Sequence, residues 1–202
     1  MEMTTNHWEE YPFWTPERRY LICFLTFADA KEFVEAAQLI QKELRGAPIA
    51  LSPKESLHQT MPGMCVREDI SDNEIDKIRD ILREKLTDYS SFNLSIDRIE
   101  ADPEGIYIIT KPKEELMKLH KLLHGAISET WGKSADGVAG EVYPHITIGY
   151  CNAVGDASKI LSTAEKFKNI KGQTIVKHVD FIWLRREPDK YAWDLVERFY
   201  LK

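Results

Sequence analysis

The chain has 202 residues, a formal net charge of −6, and 43% hydrophobic and 30% charged residues. These values are typical of a globular protein, and the length predicts one domain over 1–202 with a substantial buried core. The acidic balance disfavours long nucleic acid as the main partner, because cationic side chains supply most of the affinity for a phosphate backbone. It favours a small nucleotide or an RNA end.

No apolar run approaches the roughly 18–20 residues that span a bilayer, and the chain does not start with the pattern of a signal peptide. The cysteines Cys23, Cys65 and Cys151 are widely spaced and lack metal-ligand spacing. An odd number of isolated cysteines indicates a reducing compartment. We therefore expect a cytoplasmic monomer without a membrane partner.

Residues 1–17 form a predicted N-terminal arm that carries the aromatic residues Trp8, Tyr11, Phe13 and Trp14. Prolines among them argue against a helix, because proline lacks the amide hydrogen that a helix interior requires. We predict that the arm packs its aromatic side chains onto the body, with a base-stacking platform as the alternative. His7 is expected to lie in a mobile part of the arm and has no assigned role.

Hydrophobic periodicity predicts about eight strands and four helices, interleaved along the chain without a linker. The predicted strands cover 19–27, 49–51, 57–61, 92–99, 106–110, 144–148, 174–185 and 191–201. The predicted helices begin at the N-caps Asp29 and Ser71, or run from Pro112 to Trp131 and from Ala157 to Phe167. A loop with Gly137 and Gly140 precedes the strand at 144–148.

Two of these strands carry the same motif, His-Gln-Thr at 58–60 and His-Ile-Thr at 145–147, placed 87 residues apart. Side chains alternate along a strand, so the histidine and threonine of each motif share a face. In the second copy Ile146 and Ile148 point to the opposite face and into a core. Each motif follows a strand–helix pattern and precedes a helix, which predicts two lobes whose motif strands face each other across a cleft.

The motifs provide the groups that in-line displacement at a phosphodiester requires. We predict His58 and His145 as the catalytic acid and base, in an order that the sequence leaves open. Thr60 and Thr147 are predicted to bind the substrate by donating hydrogen bonds to non-bridging oxygens. No metal or other cofactor is required, and the sequence offers no acidic cluster to hold a metal. A single His-x-Thr would indicate a structural histidine, whereas two in equivalent positions favour catalysis.

With these motifs the chain resembles the two-histidine (2H) phosphoesterase superfamily, which includes the 2′-5′ RNA ligase-like proteins and the cyclic nucleotide phosphodiesterases. The resemblance extends from the leading apolar strand to the proline before His145 and to Trp193 in the closing strands. It implies a mixed α+β, bilobal fold in which two antiparallel β-sheets face each other across a central cleft, with helices packed outside. It also implies metal-independent hydrolysis of a 2′,3′-cyclic phosphate or a 2′-5′ phosphodiester, with His58 and His145 as the acid–base pair.

Two further residues are candidates for substrate binding. The ligase branch of the superfamily often has a basic residue shortly after the second motif, whereas Gly149 and Tyr150 follow it here. Tyr150 is therefore predicted to contact a base or to pack in the core. Arg185, next to Arg186 at the end of a predicted strand, is a candidate to reach a substrate phosphate, with an ordinary surface arginine as the alternative.

His120 and His124 lie four residues apart, which is a metal-ligand spacing, but no glutamate follows His120 and no third ligand is near in sequence. Half-buried helix histidines are therefore preferred to a zinc site. The remaining residues with potential chemistry are interpreted as packing residues or receive no role: Tyr191, Trp193, Cys65, Cys151 and His178.

The sequence leaves two classes of function open. The first is a phosphodiesterase, and the second is a non-catalytic module that keeps the fold and binds a nucleotide. Both histidines being present favours the enzyme, because a binding module has no need of two proton carriers. ATP-independent 2′-5′ RNA ligation is a third interpretation, since the same in-line chemistry runs in reverse, and a metal-dependent hydrolase is the remaining alternative.

Overall fold

The computed structural model describes residues 2–10, 15–62, 65–132 and 143–202. The predicted arm aromatics Tyr11, Phe13 and Trp14 and the loop glycines Gly137 and Gly140 lie outside these residues. The helices are α1 (His7–Glu10), α2 (Lys31–Glu43), α3 (Asp72–Thr87), α4 (Lys113–Trp131) and α5 (Ser158–Phe167). The strands are β1 (Arg19–Thr26), β2 (Ile49–Leu51), β3 (His58–Thr60), β4 (Cys65–Val66), β5 (Phe92–Asp102), β6 (Gly105–Lys111), β7 (His145–Cys151), β8 (Gln173–Val176), β9 (His178–Glu187) and β10 (Lys190–Tyr200).

The strands form two antiparallel sheets. The first has the order β10-β9-β1-β3, with β4 also paired to β1, and the second has the order β2-β7-β6-β5-β8. The two motif strands, β3 and β7, belong to different sheets and pack near each other. The fold is thus mixed α+β with two antiparallel sheets, which confirms the predicted fold class.

Each motif strand is held in the fold by buried residues that flank or separate its histidine and threonine. Ile146 and Ile148 of β7 are fully buried, as the alternation predicts. In β3 the middle residue, Gln59, is also buried, and its side-chain Oε1 accepts a hydrogen bond of 3.0 Å from the Thr110 hydroxyl of β6. This bond ties the first sheet to the second directly behind the two motifs.

The predicted capping box at the start of α3 is present. The Ser71 hydroxyl accepts from the Glu74 amide at 3.3 Å, and the Glu74 carboxylate accepts from the Ser71 amide at 2.8 Å. The amides of Ser71 and Glu74 are therefore satisfied by this reciprocal pair of bonds. The apolar stripe of the helix is buried as predicted, at positions Ile75, Ile78, Leu82 and Leu86.

The first sheet buries apolar residues on both faces. One face joins the main core with the helices, and the other face carries a smaller cluster together with the His58 side chain. Cross-strand pairing places Thr26 opposite His58 and Phe24 opposite Thr60, so this second face is the one that the motif presents. The cluster consists of Tyr20, Ile22, Phe24, Ile182 and Leu184, with Val66, Tyr191 and Trp193 packed against it.

Three predicted details of secondary structure are wrong. Asp29 does not cap α2, which begins after Ala30 without a side-chain cap. The predicted strand 174–185 is two strands, because the chain leaves the second sheet after Val176 and enters the first sheet at His178. The arm contains a one-turn helix, α1, in spite of the prolines near it.

Candidate active site

Both motif histidines are held by the same local hydrogen bond. His58 Nδ1 lies 2.7 Å from the carbonyl oxygen of Ser56, and His145 Nδ1 lies 2.9 Å from the carbonyl oxygen of Tyr143. A carbonyl oxygen can only accept, so in each ring Nδ1 carries the hydrogen. The neutral rings therefore have their lone pair on Nε2, which is the nitrogen available for proton transfer.

His58 lies in an aromatic niche on the cleft face of the first sheet. Its ring is stacked on Phe24, with centroids 4.0 Å apart and an interplanar angle of 16°, and the Trp193 ring stands edge-on at 5.3 Å. Only 9% of the residue is exposed. Burial lowers the pKa of His58 to about 4, the bond to Ser56 opposes this shift, and the nearby His145 lowers the pKa further.

His145 lies in a more polar setting than His58. The Tyr107 ring stands perpendicular to it at 5.5 Å, and the Tyr143 ring lies at 5.2 Å. Burial lowers the pKa of His145, while the hydrogen bond to the Tyr143 carbonyl and the charge of Asp102 raise it. Asp102 accepts a hydrogen bond of 2.9 Å from the Tyr107 hydroxyl.

Asp102 and Tyr107 are site residues that the sequence did not indicate. The segment from Asp102 to Gly105 carries only a turn signal, and Tyr107 has the pattern of an ordinary strand residue. The signal that could have found Tyr107 is pairing between β6 and β7, which places it directly opposite Thr147.

The two predicted threonines are in different environments. Thr60 is exposed and lies on the His58 face of β3. Thr147 is buried and lies opposite Tyr107 of β6. The strands β3 and β7, which carry the two histidines, pack against each other, so His58 and His145 lie on neighbouring elements with a threonine beside each.

A β-bulge in β7 brings the Tyr150 side chain to the face of the second sheet that also carries His145 and Thr147. Successive residues of β6 pair with Thr147 and Gly149, which leaves Ile148 as an extra residue in β7. Strict alternation would place Tyr150 on the other face of the sheet from Thr147, but the extra residue shifts the alternation by one position. Tyr150 therefore shares a face with His145, and burial raises the pKa of its hydroxyl to about 12.

The N-terminal arm is docked against this side of the site. His7 Nδ1 lies 3.2 Å from a Glu104 carboxylate oxygen, and His7 Nε2 lies 2.9 Å from the Tyr191 hydroxyl. Trp8 packs on Tyr150 and Tyr191 at centroid distances of 5.4 and 5.2 Å. Trp8 thus packs on the body of the protein, as predicted for the aromatic residues of the arm. His7 is buried and bonded, so the expectation that it is mobile is wrong.

Arg185 lies on the face of the first sheet that points away from the cleft. It pairs with Arg19 and Ala192 across the strands, and it forms ion pairs with Asp194 at 2.8 Å and Glu187 at 3.3 Å. Strand alternation therefore separates it from His58, and the predicted phosphate contact does not fit this position.

Arg186, the next residue along β9, lies on the cleft face. Its guanidinium lies over the Trp8 ring, 5.3 Å from the centroid, and donates a hydrogen bond to the Trp8 carbonyl.

Both motifs lie within a match to a known protein family. The sequence profile of the 2′-5′ RNA ligase superfamily matches residues 26–188, which include His58 and His145. The chain belongs to this superfamily. A search of curated proteins finds no match.

Several solved structures share the fold of this chain. TT0787 of Thermus thermophilus has a TM-score of 0.71 and 16% identity, covering 90% of this chain and 97% of its own. E. coli LigT complexed with 3′-AMP has a TM-score of 0.67 and 14% identity, covering 92% of this chain and 99% of its own. LigT has also been solved in complexes with NADP+ and with ATP. Membership of the 2′-5′ RNA ligase superfamily supports a 2H phosphoesterase-type activity.

A cavity of about 660 Å³ adjoins the second motif of this superfamily member. It reaches the site through Tyr143 and Pro144, the residues directly before His145. Its lining is rich in cationic side chains, namely Arg98, Lys111 and Lys113, with Asp97 and Glu114 between them. Asp97 forms ion pairs with Lys111 at 3.1 Å and with Arg98 at 2.6 Å, and Arg98 also pairs with Glu100 at 2.5 Å, so most of this charge is compensated.

His120 and His124, the candidates for a metal site, stack on consecutive turns of α4, with centroids 6.3 Å apart. Within 2–10, 15–62, 65–132 and 143–202, no group of three or more His, Cys, Asp or Glu side chains is placed to hold a metal ion. His178 contacts the Thr26 hydroxyl at 3.0 Å. No helix in the described part of the chain is both long and apolar enough to cross a membrane.

Proposed function

We propose that the protein is a metal-independent phosphodiesterase that hydrolyses a 2′,3′-cyclic phosphate or a 2′-5′ phosphodiester in a small nucleotide or an RNA end. The observation that carries this proposal is the pair of imidazoles from different sheets, each with its Nε2 available and its Nδ1 fixed by a main-chain carbonyl. The complexes of LigT with 3′-AMP, NADP+ and ATP support a nucleotide as the substrate class.

His58 is the proposed general base. Its pKa of about 4 keeps the ring neutral at neutral pH, so Nε2 can accept a proton from the attacking water. The water oxygen then forms a bond to phosphorus as the bond from phosphorus to the leaving ribose oxygen breaks. Stacking on Phe24 holds the ring in one orientation, which supports a fixed line of attack.

His145 is the proposed general acid. The Asp102 charge favours its protonated form, and a bound phosphate anion adds to this effect. The proton on Nε2 passes to the leaving ribose oxygen, which becomes a hydroxyl. The cycle closes when His58 releases its proton to solvent and His145 Nε2 takes up a proton from solvent.

Thr60 and Thr147 are proposed to donate hydrogen bonds to the non-bridging phosphate oxygens. Each lies on the face of its strand that also presents the catalytic histidine. Donors aimed at the charge that grows on these oxygens lower the barrier, typically by about 3–4 kcal/mol each. The polar cavity beside His145 is proposed to receive the remainder of the substrate.

The test is turnover of 2′,3′-cyclic nucleotides, 2′-5′ oligoadenylates and cyclic dinucleotides in the presence of EDTA. We expect His58→Ala and His145→Ala to lose about 10²–10⁴-fold in kcat, while the matched His120→Ala on α4 keeps the wild-type rate. Activity that survives both motif variants would exclude this site, and activity that needs an added metal would exclude the mechanism.

The order of acid and base has its own test. A p-nitrophenyl phosphodiester has a leaving group that needs no proton, so on this substrate His145→Ala should recover most of its lost rate and His58→Ala should not. The opposite result would exchange the two roles.

A nucleotide-binding module is the second candidate function. It is favoured by one observation, that burial lowers the pKa of both histidines and so disfavours the protonated acid in the free protein. This candidate predicts nucleotide binding without turnover. Joining of RNA ends without ATP would instead indicate the ligase direction of the same chemistry.

We also propose that 1–202 is a single bilobal domain that acts as a cytoplasmic monomer. Cys23, Cys65 and Cys151 are buried free thiols, which suits a reducing compartment. Sedimentation equilibrium of the full chain tests the monomer.

A further inference from the structure

The N-terminal arm is fastened to the body next to the site. The Thr4 amide donates to the Gly155 carbonyl at 2.8 Å, and the Thr5 amide donates to the Pro103 carbonyl at 2.9 Å. These bonds bring His7 into a pocket where only 8% of it is exposed. The arm lies before the part of the chain that matches the superfamily profile, which starts at residue 26.

His7 connects the arm to a residue of the cleft by a directed chain of hydrogen bonds. The Glu104 carboxylate can only accept, so His7 Nδ1 carries the hydrogen and donates to it. In the neutral ring Nε2 then accepts from the Tyr191 hydroxyl. Burial, and next the charge of Arg186, lower the pKa of His7 to about 4, which keeps this arrangement at neutral pH.

Tyr191 and Tyr150 form a wall beside His58. Their rings meet at 81° with centroids 5.3 Å apart, and the His7 ring supports Tyr150 from 4.4 Å. Both tyrosines remain partly exposed. Together with His58 they line a crevice of about 10 Å³, the space of one water molecule. The wall is therefore in direct proximity to the proposed base.

We infer that His7 is a positioning residue that holds Tyr191, and through the arm Tyr150, as the surface on which the nucleobase next to the reacting phosphate stacks. This inference rests on the proposed function and assigns the nucleobase of the substrate to the surface that the arm supports. Aromatic faces bind bases with about 1–3 kcal/mol per stacked base and little sequence preference. Trp8 backs the same two rings from the arm side.

A merely structural role for His7 predicts a different result from a positioning role. If the arm only stabilises the fold, its variants lower the melting temperature and leave nucleotide affinity unchanged. If His7 orients Tyr191, then His7→Phe and Tyr191→Phe remove the same interaction, so their effects on affinity must not add in the double variant.

The experiment is isothermal titration of the full chain with 3′-AMP, with ribose 5-phosphate as a probe that lacks the base. We expect His7→Phe to weaken 3′-AMP binding about 5- to 20-fold, the lower part of what one stacked base contributes, and to leave ribose 5-phosphate binding unchanged. His7→Gln should restore most of the affinity, because its amide donates to Glu104 and its carbonyl accepts from Tyr191. On a turned-over substrate His7→Phe should raise KM with kcat within about twofold, because the wall does not touch the reacting atoms.

The matched control is His120→Phe on α4, which should bind 3′-AMP like the wild type. Equal 3′-AMP affinity of wild type and His7→Phe would overturn the inference and leave the proposed function intact. Additive losses in the double variant with Tyr191→Phe would also overturn it. A wild-type chain that binds neither 3′-AMP nor any nucleotide of the turnover panel would overturn the proposed function and this inference together.

Discussion

The His58 imidazole lies flat on the Phe24 ring, at 4.0 Å between centroids and 16° between planes. This contact both buries His58 and fixes its orientation. We predict that Phe24→Leu relieves part of the burial, raises the pKa of His58 from about 4 towards its ordinary value of 6.5, and lowers kcat. NMR titration of the imidazole protons measures the shift.

The control for this variant is Phe33→Leu in α2, where the ring is fully buried but belongs to the main core. Both variants should lose about 1–2 kcal/mol of stability. Only Phe24→Leu should move the His58 titration, and an equal shift in both variants would show that loss of stability, not the stacking contact, sets the pKa.

The pH dependence of catalysis follows from the two imidazoles. Because burial lowers the pKa of both His58 and His145, kcat/KM should follow a bell whose two limbs lie below about pH 6.5. A bound phosphate anion favours protonated imidazole, so the profile of kcat should lie at higher pH than that of kcat/KM. Initial rates over a pH series measure both profiles, and coincident curves would argue against contact of the phosphate with either ring.

The stability of the protein should also depend on pH through His58. Between about pH 4 and 6.5 the unfolded state binds more protons than the folded state, so stability rises with pH in this window and is complete above it. The full contribution is on the order of 3 kcal/mol. His58→Gln replaces the titratable side chain by a neutral one, so it should reduce the slope of the free energy of unfolding against pH by up to about 1.4 kcal/mol per pH unit. Urea unfolding at several pH values measures the slope, and identical slopes would contradict the buried neutral imidazole.

The bulge in β7 depends on Gly105. A Cβ atom added there would lie 2.6 Å from the Gly149 carbonyl oxygen, which is main chain and cannot turn aside. We predict that Gly105→Ala costs about 1–3 kcal/mol and weakens nucleotide binding by displacing Tyr150, the residue opposite. Gly125→Ala in α4 is the control, because nothing lies within 4 Å of the added atom, and it should stabilise the protein by roughly 0.5–1 kcal/mol. Thermal unfolding and 3′-AMP titration separate the two effects, and wild-type affinity in Gly105→Ala would show that Tyr150 does not depend on the bulge.

The local parts of the site could be predicted from the sequence. The strand alternation that pairs His58 with Thr60, the burial of Ile146 and Ile148, and the capping box at Ser71 each depend on residues within four positions of one another. Such features are set by backbone geometry, so one segment contains enough information to predict them.

The features that escaped prediction depend on contacts between distant segments. Tyr150 faces the cleft because of the bulge in β7, and predicting the bulge requires the register of β6 against β7. The change of sheet at Lys177 can be predicted only when the positions of both sheets are known. His7 and Tyr191 are bonded although the chain between them is almost the whole protein. The position of Arg185 on the face away from the cleft escaped prediction for the same reason, since the face of β9 that lines the cleft follows from the pairing of β9 with β1.

The atoms that fix the tautomer of each motif histidine are main-chain carbonyl oxygens, at Ser56 and Tyr143. No side-chain substitution can delete a carbonyl. The side chains of Ser56 and Tyr143 can therefore change while the main-chain bond that sets each tautomer stays in place. The tautomer of each imidazole is in this sense insulated from mutation, in contrast to sites where a carboxylate orients the histidine and can be lost in one step.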